Sequence, residues 1–254
     1  MLNYQIVGNK IPFVLVHAWP LSCGMWEHQL QALQSKAMLI TPDIPGLGKS
    51  PRQKTPSIPA MAQEVAALLD QLEIKGPVVI GGISMGGYVT FEFLRQFPER
   101  VRGICLLATR ANADTPEIRE KRFKTIEFLE THGLEDFFPK ILPNLLGKST
   151  LSANPAVAEK VKALIRENST EGICDTLRAM AGRKDSTELL GKISCPALVV
   201  AGDEDGFVTV EESTAMQAKI PGAELRVMKN TGHLLNLEKP QAFEEILSGF
   251  LDRL

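Results

Sequence analysis

The chain has 254 residues, with 28 Lys and Arg against 30 Asp and Glu, for a formal net charge of −2 and an isoelectric point near 6.1. That balance offers no electrostatic case for nucleic acid or an anionic membrane as partner, and no apolar run reaches the roughly 20 residues of a membrane span. Cys23, Cys105, Cys174 and Cys195 are scattered with no C-x-x-C pair, so reduced thiols are expected and a disulfide or zinc framework is not. Met1–Gly8 shows no basic segment ahead of a long apolar run, so no signal peptide is expected and the expected location is cytoplasmic.

Tyr4–Val7 reads as a short strand and Pro12–His17 as a buried one. Met25–Leu33 has helical spacing, and Ala37–Thr41 is another apolar strand. Ser57 is placed to cap a helix through Leu72, with Pro59 in its first turn and Val65, Leu68, Leu69 and Leu72 on one face. Gly76–Gly81 gives a strand, Gly87–Phe97 a helix stopped at Pro98, and Val101–Ala108 a further strand. Apolar strands separated by helices imply a parallel sheet covered on both faces. The rhythm then breaks, and no strongly apolar strand occurs from about Ala111 to Leu190. Helices are expected there from Thr115 to about Thr131, from Asn154–Pro155 through Ile165, and over Glu171–Met180. Strands return at Cys195–Ala201 and Glu224–Met228, and a helix over Lys239–Leu251 closes the chain.

Gly82-Ile83-Ser84-Met85-Gly86 stands between a strand and a helix, the setting of a nucleophile elbow. Such a turn strains the serine backbone and leaves no room for side chains two residues to either side, which Gly82 and Gly86 supply. A serine requires a base, and the base an orienting acid. In a doubly wound sheet such groups lie on loops at the C-terminal ends of strands. Two loops qualify, Gly202–Val208 after one strand and Lys229–His233 after the next, so the order runs serine, acid, histidine.

With His17-Ala18-Trp19-Pro20 after a strand and Asp43–Ser50 after another, these elements resemble the α/β-hydrolases. The likeness is to the capped group of serine esterases, enol-lactonases and cofactor-free haloperoxidases. It implies a mostly parallel sheet of seven or eight strands with flanking helices, residues 1–110 and 191–254 forming the core and 111–190 a helical cap. It places the nucleophile on Ser84, the base on His233 and the acid on Asp205, by the pattern Gly, two residues, Asp. Asp203 is the rival, and Asp203 and Glu204 otherwise read as solvated turn residues. The oxyanion hole falls on the backbone N–H groups of Met85 and Trp19. Two departures bear on geometry: Ala18 stands where glycine is common, and Thr209 where a proline often follows the acid.

His17 is expected to tie down the oxyanion loop by hydrogen bonds, Asp43 to hold the Gly46–Ser50 turn, and His28 and His132 to lie on the surface. Neither a cofactor nor a metal is expected. The expected reaction is hydrolysis of a small or medium carboxylic ester, with a lactone or C–C bond as the alternative, or a low-turnover ligand receptor that retains the triad. Ser84 at the elbow argues against a haloalkane dehalogenase, which uses a carboxylate there. Trp19, Met25 and Trp26, with Phe137, Phe138 and Leu142, are expected either to form an apolar pocket or simply to pack the insertion on the sheet.

Overall fold

Strands form where short apolar runs are bracketed by turns, and helices where an apolar stripe follows a capping residue. In the computed structural model, which describes residues 1–254, the first half alternates the two. It runs β1 (Tyr4–Val7), β2 (Ile11–Val16), a 3-10 turn (Cys23–Trp26), α1 (Glu27–Leu33), β3 (Ala37–Pro42), α2 (Ile58–Gln71), β4 (Val78–Ile83), α3 (Met85–Gln96) and β5 (Val101–Leu107). Ser57 caps α2 by accepting the Ala60 N–H, with Pro59 in the first turn.

The seven strands form one sheet in the order β1-β3-β2-β4-β5-β6-β7, with β6 at Ala197–Gly202 and β7 at Glu224–Met228. Only β1 runs antiparallel, against β3; every other neighbouring pair is parallel. All six residues of β4 and all six of β6 are buried, as strands covered on both faces must be. The chain leaves β2 toward β3 on one side and later returns to place β4 on the other. The strand order therefore reverses between β2 and β4, and a crevice opens beyond their carboxyl ends.

Between β5 and β6 every regular element is a helix: α4 (Pro116–Leu145), α5 (Lys148–Ala153), α6 (Pro155–Arg166), α7 (Thr170–Ala181) and α8 (Thr187–Leu190). The Ser186 N–H donates to Ala111 O at 2.8 Å and joins the two ends of this insertion. Whereas the sequence predicts a helix ending near Thr131, α4 kinks at Gly133 (φ 77°) and runs on through Pro139 and Pro143. The buried face of Phe137, Phe138, Ile141, Leu142 and Leu145 holds that second half helical, since tertiary packing outweighs local preference. The sequence also hides α9 (Val210–Gln217), which Thr209 and Glu212 start with a reciprocal capping box. Past β7, α10 (Leu235–Glu238) and α11 (Pro240–Leu251) complete the chain. No helix is long and apolar enough to cross a membrane.

Candidate active site

Ser84 is the single residue between the end of β4 and the start of α3, and its backbone stands at φ 57°, ψ −111°. That region is sparsely populated for any residue with a Cβ, so the surrounding structure must enforce it. The Ser84 N–H donates to Leu107 O at 2.9 Å, and Thr109 Oγ1 donates to Ser84 O at 2.8 Å. The glycines are required by close approach. A Cβ on Gly86 would meet Val16 O at 2.2 Å, and one on Gly82 would meet Gly86 C at 2.5 Å. Ser84 remains half-buried, open to the crevice.

Met85 is the first residue of α3, so its N–H has no acceptor within the helix. Across the crevice, the Trp19 backbone N–H also donates to no group of the protein. The loop carrying Trp19 is tied down from several sides. His17 Nε2 accepts the Ile44 N–H at 2.9 Å and Nδ1 lies 3.0 Å from Ala18 O. Met25 Sδ receives the Ala18 N–H, and the Trp19 indole donates to Ile173 O. Burial pushes the His17 pKa down, against the pull of Asp43, so this imidazole is neutral and serves as a fixed strut. Ala18 does not adopt a positive φ, so its Cβ is accommodated where glycine is common. Asp43 accepts the N–H groups of Cys23 and Lys49 and the Asn3 amide. Burial opposes its charge, but its surroundings, these donors among them, outweigh burial and hold the carboxyl below its usual range.

The β6 and β7 loops bring Asp205 and His233 together. Asp205 Oδ2 lies 2.8 Å and Oδ1 3.0 Å from His233 Nδ1, and the two side chains are 0% and 1% exposed. Oδ1 also accepts the N–H groups of Phe207 and Val208, which fixes the carboxylate. The Phe207 ring stands edge-on to the imidazole at 4.9 Å. Asp203 faces away, toward Lys229 and the Thr231 N–H. His28 and His132 are exposed.

Two carboxylates to which the sequence reading gives no part in the site brace these loops. Glu238 accepts the N–H groups of Gly232 and Leu234, on either side of His233, together with Gly147 N–H and Thr150 Oγ1. The available signal is a lone carboxylate closing the leucine-rich stretch Leu234–Leu237. Glu204, expected as a solvated turn residue, instead accepts Ser149 N–H and Oγ, which lower its pKa. Both acids anchor the Asp205 and His233 loops to the start of α5.

Ser84, Trp19 and His233 line one cleft of about 730 Å³, whose wall also includes α4 and α7 residues such as Ile118, Phe137 and Leu177. Of the expected apolar pocket, only Trp19 and Phe137 face this space. Met25 and Trp26 are fully buried, with Trp26 stacked on Phe243, while Phe138 and Leu142 pack in the core. Charged side chains, Arg110, Lys121, Arg122, Lys124 and Lys140 among them, take much of the remaining wall. No three His, Cys, Asp or Glu side chains converge as metal ligands would.

A strained serine at a strand-to-helix turn, a buried Asp–His pair and a doubly wound sheet together describe a hydrolase, and the chain belongs to the alpha/beta hydrolase fold family, whose model matches residues 11–240. It is similar to a 3-oxoadipate enol-lactonase of Acinetobacter baylyi, 28% identical over 252 residues that span 98% of this chain and 92% of that one. A thermophilic esterase from Thermogutta terrifontis, solved with malate bound, superposes with a TM-score of 0.96 at 35% identity, covering 99% of this chain and 93% of that one. The enol-lactonase of Burkholderia xenovorans LB400 follows at 0.91 and 25% identity, over 99% and 96% of the two chains.

Proposed function

We propose that this hydrolase cleaves a carboxylic ester or lactone through an acyl-enzyme on Ser84. The observation that carries the reading is the desolvated Asp205–His233 pair, 2.8 Å apart, facing the same cleft as the strained Ser84. Ser84 Oγ attacks the carbonyl carbon as His233 Nε2 takes its proton, and Asp205 holds the Nδ1–H tautomer and balances the imidazolium. The N–H groups of Trp19 and Met85 receive the oxyanion, each worth about 100- to 1000-fold in rate. The imidazolium then gives its proton to the leaving alkoxide, and the neutral imidazole activates water to release the acid and free Ser84. Ser84 and His233 share no direct hydrogen bond, and such catalytic contacts tighten when a substrate seats between base and nucleophile.

Residues 111–190 serve as a cap whose α4 and α7 roof the cleft and exclude water. The joined ends at Ala111 and Ser186 support this division from the core of 1–110 and 191–254. Four unpaired cysteines fit a reducing, cytoplasmic setting. Similarity to two enol-lactonases favours a lactone as the second substrate type, since ring opening uses the same acyl-enzyme with the alcohol still tethered. A p-nitrophenyl ester series from acetate to laurate tests the reading, with sustained turnover expected from the wild type and none above background from Ser84→Ala. Equal turnover by both proteins overturns it.

A further inference from the structure

One helical turn beyond Ser84 on α3, Tyr88 borders a part of the cleft whose charges do not balance. Asp114 is the one carboxylate there, with its side chain 2% exposed. It receives two guanidiniums: Arg122 through Nε at 2.5 Å and Nη2 at 3.2 Å, and Arg183 through Nη1. Arg183 is 3% exposed and satisfied. Its other donors reach Asn112 O and Met180 O, and its guanidinium lies 4.1 Å over the Tyr88 ring.

Arg122 is different. It lines the cleft at 17% exposure; its Nη1 lies 3.6 Å from the thioether of Met180, a weak acceptor, and the Tyr88 hydroxyl is its one other polar neighbour besides Asp114. Lys121 and Lys140 line the same cleft without a carboxylate partner, whereas Lys124 is paired with Glu120 and Arg110 with Glu212. Two arginines against one aspartate, plus two free lysines, leave a cationic wall in a chain whose overall charge is −2. Because Arg122 and Arg183 share the single carboxylate of Asp114, one positive charge of that trio is uncompensated in a largely buried setting, which is costly, and low-dielectric walls focus its field on an incoming anion. A planar guanidinium whose outer donors meet only a thioether and a phenol matches a carboxylate in shape as well as charge. A purely apolar ester would bring those donors no anion.

We propose that the Arg122 wall, flanked by Lys121 and Lys140, is a carboxylate subsite, and that the preferred substrate is an ester or lactone bearing a second, ionised carboxyl group. This deepens the hydrolytic reading and rests on it for the bond that is cleaved. The carboxylate is held as a recognition element and takes no part in the bond changes.

The test compares monomethyl glutarate with the neutral ester methyl pentanoate, in which a methyl replaces the carboxylate, by pH-stat, alongside glutarate binding to Ser84→Ala by calorimetry. The wild type is expected to prefer the acidic ester in kcat/KM. Arg122→Gln is expected to lower the ratio between the two esters by about 10- to 100-fold, mostly through KM, as loss of a charge-assisted pair should. Because Arg122 also braces Asp114, the exposed double variant Lys121→Gln/Lys140→Gln serves as a second probe and should lower the same ratio. Glutarate is expected to bind Ser84→Ala, and to bind it more weakly when Arg122→Gln is added. A wild-type ratio at or below one, or glutarate binding that neither set of substitutions weakens, overturns the subsite. Ester turnover without that preference removes the subsite and leaves the hydrolase. Arg122-dependent glutarate binding without any ester turnover does the reverse.

Discussion

Asp205→Asn isolates the contribution of one oxygen atom to the reaction. Asp205 Oδ1 already accepts the Phe207 N–H at 2.7 Å and the Val208 N–H at 3.1 Å. An asparagine therefore keeps its carbonyl oxygen on that side, where the donors are, and turns its amide toward His233 Nδ1. An amide N–H presents a donor to Nδ1, which forces the proton onto Nε2 and leaves no lone pair to accept the Ser84 proton. Loss of the correct tautomer costs about 10⁴-fold in kcat, or about 5.4 kcal/mol in the barrier. Packing survives, since the two side chains have the same shape, and circular dichroism should not change. Asp203→Asn removes only the 3.4 Å contacts to Lys229 and the Thr231 N–H, and the rate should stay within about twofold. Steady-state hydrolysis of p-nitrophenyl butyrate by both variants decides the matter. A residual rate within tenfold of wild type for Asp205→Asn, or a larger loss for Asp203→Asn, would refute the assignment.

Gly86→Ala drives a Cβ to within 2.2 Å of Val16 O, so β2 and α3 must separate. Urea denaturation should show a loss of about 1–3 kcal/mol, whereas Gly191→Ala, which meets nothing within 4 Å, should stay within about 0.5 kcal/mol. Glu238→Gln turns one of two oxygens that together face four donors, three on Oε2 and one on Oε1, into a competing donor. A destabilisation of about 1–3 kcal/mol and a fall in kcat larger than any change in KM are expected; a variant with wild-type kcat would show that the His233 loop does not depend on this brace. His17 sets a pH dependence of stability. Its folded pKa lies below the usual 6.5 because it is buried, so the unfolded chain binds the proton more readily. Stability is then fully present above about pH 6.5 and falls below it, by up to about 1.4 kcal/mol per pH unit, until the folded pKa is passed. Denaturation midpoints between pH 8 and 5 check this, and an imidazole of His17 that titrates at its ordinary value by NMR would refute it.

How much of this was readable in advance depends on how far apart the interacting groups lie in the chain. The turn around Ser84 is legible because its requirements are local: an apolar strand, two glycines that must lack a Cβ, and a helix start, all within 78–96. The approach of Asp205 to His233 follows from the loops of adjacent parallel strands, β6 and β7, opening at the same edge of the sheet. Long-range polar contacts leave no such trace. Glu238 reaches Gly147, 91 residues away, and Asp114 reaches Arg183 across 69, so neither brace nor cationic wall shows in the sequence pattern. The second half of α4 is hidden for a different reason, because Pro139 and Pro143 read as helix breakers while buried Phe137 and Ile141 hold the segment in place. Aromatic and apolar residues near the crevice are poor guides to its lining, since packing in the core requires the same side chains.

The most direct measurement is rapid quenching of the wild-type protein with p-nitrophenyl acetate, followed by peptide mapping by mass spectrometry. The mechanism predicts a single acetyl adduct on the peptide carrying Ser84, formed in the burst and cleared as turnover proceeds, and absent in Ser84→Ala. An adduct on another residue, or hydrolysis that continues in Ser84→Ala without any adduct, would contradict it.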